Sequence, residues 1–316
     1  MRAVRGAAME SAGQGDDRGQ GATAGLLRSP VSAAVFTMLL WAATTIVVRY
    51  LRHDIPPIGL SFWRTFSAFL IVLPFAARPL LRQWDVVRRH LRILALLALL
   101  LWVGGNALLF LALQYTIAIN AAVINSVEPV FIMLLAALLF GDRLSRRQAV
   151  GVALSLAGVL ALISAGSIDR LLGLEFNRGD LIVTCAYVSW GLYAVLLRKL
   201  PHGLDHRVTL LVLLGFGAAF LLPVWLLEAF IARPMPATAV TVLTVVALAA
   251  LPCALATMLW NHAIARLGAI RAGQYLHLIP AFTVLLAIAF LGEVPGAHHI
   301  GGIVLIAGGL YLASPR

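Results

Sequence analysis

Residues 121–158 read AAVINSVEPVFIMLLAALLFGDRLSRRQAVGVALSLAG, and residues 272–309 read AGQYLHLIPAFTVLLAIAFLGEVPGAHHIGGIVLIAGG. Slid by 151 positions, the first stretch places Ala121 on Ala272, Pro129 on Pro280, Phe131 on Phe282, Gly141 on Gly292, Gly151 on Gly302 and Gly158 on Gly309. Extended back to Ala112, the alignment holds 13 identities in 47 positions. Apolar composition inflates matches of Ala and Leu, but not coincident prolines and glycines. Further upstream, an offset of 149 places Trp41 on Trp190, Arg49 on Arg198 and Pro74 on Pro223. The chain reads as two copies of one unit.

Each copy is built from membrane-length segments. Hydrophobic residues make up 61% of the 316 and charged residues 12%, with a mean hydropathy of +0.96. An ordinary soluble domain is ~45–50% apolar and ~25% charged, so a water-soluble fold is excluded. Apolar runs fall at 30–51, 57–77, 93–113, 117–139, 147–166, 179–199, 208–230, 239–261, 272–291 and 298–313. A helix needs ~20 apolar residues to cross a bilayer with its backbone satisfied internally, and these runs predict ten crossings. The expected fold is an all-α membrane protein of ten transmembrane helices, with repeats at 30–166 and 179–314. Residues 1–28, rich in Gly, Ala and Arg with no apolar run, read as a disordered cytoplasmic tail rather than a secretory signal.

Five spans per copy is an odd number, so the two repeats must lie in the membrane inverted. Charge supports this topology. With both termini in the cytoplasm, 18 of the 24 basic residues fall on the cytoplasmic side, five fall outside, and Arg64 lies within a span. The basic loop at 141–147 (GDRLSRR) faces a counterpart at 292–298 (GEVPGAH) that has no Lys or Arg. The net charge of +11 is therefore a topology signal, and no nucleic-acid partner is expected. Cys185 and Cys253 lie in apolar spans and read as packing residues, with no disulfide, metal or cofactor implied. Inverted repeats are the architecture of alternating-access carriers, which bind substrate near the midplane between halves.

The stretch from Ala112-Leu113-Gln114-Tyr115-Thr116 through Glu128-Pro129-Val130-Phe131, Gly141-Asp142-Arg143-Leu144 and Gly151 resembles the end of an EamA-type domain of the drug/metabolite transporter superfamily. Its second copy, around Pro280, Leu291-Gly292-Glu293 and Gly302, is similar to the same pattern. The resemblance covers roughly residues 30 to 314, and departs from the family's usual Glu at Asp142. It implies a ten-helix carrier, often an exporter of amino acids or other metabolites or of toxic compounds. The expected place is the bacterial inner membrane.

Ionisable and polar groups inside spans mark the substrate pathway, since they are costly there without a role. Glu128, mid-way along the fourth span, is the first candidate, binding a cationic group of the substrate or a coupling proton. Its alternative is a buried ion pair with Arg64, itself counted among the pathway residues, whose depth in the second span differs by ~6 Å at 1.5 Å per residue. Asn125 shares the face of Glu128, three positions before it, while Asn120 reads as interfacial. Gln274 and His277 share a face of the ninth span and have no polar match in the other repeat except Ser126. Pro129 and Pro280 are expected to open helix backbone near the cavity. Gly151, Gly158, Gly302 and Gly309 read as small-residue faces for close helix packing, with a homodimer as an extension of that reading. Arg49 and Arg198 are expected to reach the headgroups.

The motifs of other classes are absent from the sequence. A membrane-embedded enzyme would show a ligand set, and the sequence holds no H-E-x-x-H, no P-loop and no pair of intramembrane aspartates. His298-His299 reads as a loop pair rather than a metal site. A channel would show a filter or pore ring, and none stands out.

Overall fold

The computed structural model describes residues 29–51, 54–112, 115, 124–143, 145–164, 166–173, 177–201, 203–232, 234–291 and 297–313. They form helices with no strand among the described residues: α1 (Pro30–Leu51), α2 (Pro57–Arg82), α3 (Leu91–Ala112), α4 (Glu128–Phe140), α5 (Arg146–Ile163), α6 (Arg178–Lys199), α7 (His206–Ile231), α8 (Ala239–Leu267), α9 (269–291) and α10 (Ala297–Ala313). Helical turns at Trp84–Arg89 and Ile168–Leu172 lie between them. By length and composition six of these, α1, α2, α3, α6, α7 and α8, are able to cross a membrane. The tail 1–28 and the start of the fourth apolar run, 117–123, lie outside the described residues.

Local sequence sets the ends. Ser145 and Gln148 form a capping box on α5, and Asn177 with Asp180 forms another on α6. Asp205 accepts from the Arg207 amide at 2.8 Å and caps α7; Arg207 also holds this carboxylate below its ordinary pKa by hydrogen bonding to it. α4 stops at Gly141, whose φ of 69° is the left-handed cap conformation. α2 runs five residues past its apolar run, through Pro74 and Pro79, to a cap at Gln83.

The halves exchange equivalent contacts. α1 packs on α8 and α9, as α6 packs on α3 and α4; α2 packs on α7 and α8, and α7 in turn on α3. Each half's first helix thus lies on the third and fourth helices of the other.

Two like pairs run antiparallel. At one end of the α2/α7 pair, Glu228 accepts from the Ile58 and Gly59 amides at 3.1 and 2.6 Å; at the other, Gln83 bonds Gly203 and Asp205. In the α5/α10 pair Gly151 faces Gly309 and Gly158 faces Gly302, so closely that a Cβ on Gly158 would stand 2.7 Å from the Gly302 carbonyl. The four glycines meet within one chain and let these two backbones touch. The homodimer expectation therefore has none of these faces to use.

Candidate functional site

The third helix of each half is wound wide where it crosses the core. α3 is π-helical over Leu99–Ala107 and α8 over Ala249–Leu255, and nothing in the hydrophobic pattern announces either. Wide turns misalign backbone carbonyls with their usual donors. Side chains from the opposite half take them. The Trp190 indole on α6 donates to the Leu101 carbonyl at 3.3 Å, and the Trp41 indole on α1 donates to the Pro252 carbonyl at 3.2 Å. These tryptophans are repeat counterparts, as are Leu101 and Pro252 at the offset of 151. Gly105 makes the first contact possible, because a Cβ there would collide with the Trp190 ring.

α4 and α9 are interrupted at matching positions. A turn at Val127 precedes Glu128 and Pro129 in α4, and a 3-10 turn over Tyr275–His277 precedes Pro280 in α9. Each proline sits in the first turn of the resumed helix, where its missing N–H costs nothing. At this junction His277 Nε2 lies 3.0 Å from the Ser126 carbonyl. Both residues are buried, and 151 positions separate them.

Around this contact, His277 Nδ1, Gln274 Nε2 and Asn125 Oδ1 are buried and have no hydrogen-bond partner among the described residues. Such atoms are expensive in a packed interior and are the groups a ligand would satisfy. Asn125 donates to the Tyr187 hydroxyl at 2.7 Å, and the Glu128 carboxylate lies within electrostatic reach of the same phenol. Glu128 is 5% exposed and sits at the start of α4, where the helix N-terminus favours negative charge. Gln274 also lines a cavity of about 190 Å³ between the ends of α1, α8, α9 and α10, together with Arg271 and Tyr275.

Arg64 and Glu128 are not brought together. Among the described residues no carboxylate lies within 4 Å of Arg64. Its guanidinium instead donates to Asn106 Oδ1 on α3 and lies 5.0 Å from the centre of the Phe110 ring. α3 comes between α2 and the α4/α6 pair, so similar depth along the two helices does not place the side chains in contact. Asn106 joins the site only in the structure. The signal for Asn106 was an amide in an apolar span beside two glycines.

Arg198 has a partner within the protein. It forms an ion pair with Asp142 at 2.9 Å over the Phe140 ring, because the left-handed turn at Gly141 directs Asp142 back toward the end of α6. The Arg49 side chain lies outside the described residues.

Comparison with known proteins gives the family and the fold. Residues 28–164 and 177–314 each match the EamA-like transporter family. The chain is 32% identical to an uncharacterised transporter of Archaeoglobus fulgidus over 89% of its own length and 95% of the relative's. It is 30% identical to a probable terminal-alkyne amino-acid exporter of Streptantibioticus cattleyicolor, over 89% and 94%. A probable amino-acid metabolite efflux pump of Salmonella typhimurium is 26% identical over 88% and 92%. A solved crystal structure shares the fold with a TM-score of 0.72 at 23% identity, over 90% of this chain and 97% of the other. With both halves matched and apolar helices throughout, the chain is a multi-pass membrane protein that belongs to the EamA-like transporter family.

Proposed function

We propose that this chain is a secondary transporter that exports amino acids or closely related metabolites across the bacterial inner membrane. Ten helices cross the bilayer as two inverted five-helix repeats, and both termini face the cytoplasm. The observation that carries this reading is the junction of the interrupted helices α4 and α9 at His277 and Ser126, ringed by buried polar atoms that have no partner among the described residues. Discontinuous helices meeting between repeats are where such carriers hold substrate. The antiparallel pairing of α2 with α7 and α5 with α10 supports the inversion. Amino acids as cargo are supported by the names of two relatives, an amino-acid exporter and an amino-acid metabolite efflux pump.

One half rocks against the other about the junction and exposes the site to each side in turn. Glu128, Asn125, Gln274 and His277 face the substrate, and Glu128 takes its cationic group or a coupling proton. The test compares extracellular metabolites of an overexpressing strain with those of a deletion strain. A rise in amino acids outside the overexpressing cells is expected; unchanged amino acids, or a chemically converted product, overturn the reading.

A further inference from the structure

Among the described residues, no charge answers that of Arg64. The residue is 4% exposed in the first third of α2, and its Nε is buried without a partner among the described residues. No carboxylate among the described residues lies within 4 Å of it. A buried guanidinium left unpaired is among the costliest arrangements in a membrane interior, and it persists where a ligand supplies the missing anion.

Its surroundings fix it in place. Asn106 donates through Nδ2 to the Leu101 carbonyl at 2.7 Å, a carbonyl within the wide turns of α3, and this turns its Oδ1 toward Arg64. Cys253, in the wide turns of α8, lies within electrostatic reach of the guanidinium. Arg64 therefore stands between the two π-helical stretches, where the halves meet. The planar fork of a guanidinium binds a carboxylate through two parallel N–H groups, and Nε belongs to one edge of that fork.

The Leu101 carbonyl also accepts from the Trp190 indole, so the carbonyl that turns Asn106 toward Arg64 is itself held by a helix of the other half.

We propose that Arg64, oriented by Asn106, is the subsite that receives the carboxylate of the exported amino acid. This rests on the export reading above and names the group by which the substrate is recognised. The carboxylate of an amino acid answers the buried guanidinium. Its carboxamide or its decarboxylated amine leaves Arg64 unanswered.

The test uses purified full-length protein in proteoliposomes loaded with a mixture of the proteinogenic amino acids, or with the matching carboxamides, and reads release by mass spectrometry. Wild type is expected to release at least one amino acid, and its carboxamide at least about tenfold more slowly. Asn106→Asp gives Arg64 an internal carboxylate. That variant is expected to accumulate as well as wild type, yet to release the amino acid at least about tenfold more slowly. Equal release of acid and carboxamide, or unchanged amino-acid release by Asn106→Asp, overturns the Arg64 assignment and leaves export standing. No amino-acid release by wild type removes the export reading and this one with it. Should Asn106→Asp fail to accumulate, the comparison of acid with carboxamide on wild type decides alone.

Discussion

His277 bonds the backbone of its own counterpart: its Nε2 lies 3.0 Å from the carbonyl of Ser126, 151 positions earlier. Repeat-related residues touch only on the axis that relates the repeats. Ser155 does the same at the α5/α10 contact, where its hydroxyl donates to the carbonyl of Ile306, again 151 positions away. The axis thus passes through the interrupted helices, and a polar side chain there faces both halves. In the proposed mechanism, substituting one such residue disturbs the junction on which the halves turn. Gln274→Leu and His277→Leu are expected to reach normal membrane levels and to change the set of amino acids released from proteoliposomes. An identical set at unchanged rates contradicts their place in the pathway.

Glu228 caps a helix of the other half. Pro57 and the amides of Ile58 and Gly59 open α2, and the cap residue Pro56 offers them no side chain. Both oxygens of Glu228 take those amides. Loss of a charged N-terminal cap costs about 1–2 kcal/mol, so Glu228→Leu is expected to lower the thermal midpoint of the detergent-purified protein by a few degrees. Glu228→Gln, which keeps one acceptor, should lose less. Equal melting of all three proteins would remove the role of this cap.

Glycine at the α5/α10 contact is required by distance. Gly158→Ala puts a methyl group 2.7 Å from one backbone oxygen and 2.9 Å from the Ile306 nitrogen, so a backbone must move, at about 1–3 kcal/mol. Gly301→Ala, one residue from Gly302 on α10, meets nothing within 4 Å and is expected to be neutral within about 0.5 kcal/mol. Thermal melts of the two variants should differ accordingly; equal melts would mean that the helices are free to separate.

Much of this arrangement was legible in the sequence. Coincident prolines and glycines at one offset gave the repeat, and the seven-residue spacing of Gly151 with Gly158 and of Gly302 with Gly309 marked the faces on which α5 and α10 pack. Glu128, Gln274 and His277 stood out because a polar side chain in an apolar run needs a reason. The π-helical stretches did not stand out, since widening a turn leaves an apolar run equally apolar. Partners were harder still. Arg64 meets Asn106 across 42 positions, and depth along two helices says nothing about which helix lies between them. Trp41 and Trp190 matched in sequence, yet their shared task became visible only with the carbonyls they reach.

Topology offers a separate check. Reporter fusions after residue 316 and within 141–147 are expected to report the cytoplasm, and fusions at 293–298 the outside. A cytoplasmic signal from the last site would contradict the inversion. The Asp142–Arg198 pair does not enforce this topology: it is partly exposed, and such pairs contribute at most about 1 kcal/mol.

Release from proteoliposomes by Glu128→Gln shows whether substrate passes through the site at which Glu128 stands. The side chain keeps its shape and one acceptor while its charge is lost. Normal abundance with amino-acid release abolished is the expected result. Adding Arg64→Leu should restore nothing, because the two residues form no ion pair for the first change to break. Release at the wild-type rate by Glu128→Gln, or full recovery in the double variant, would contradict the account.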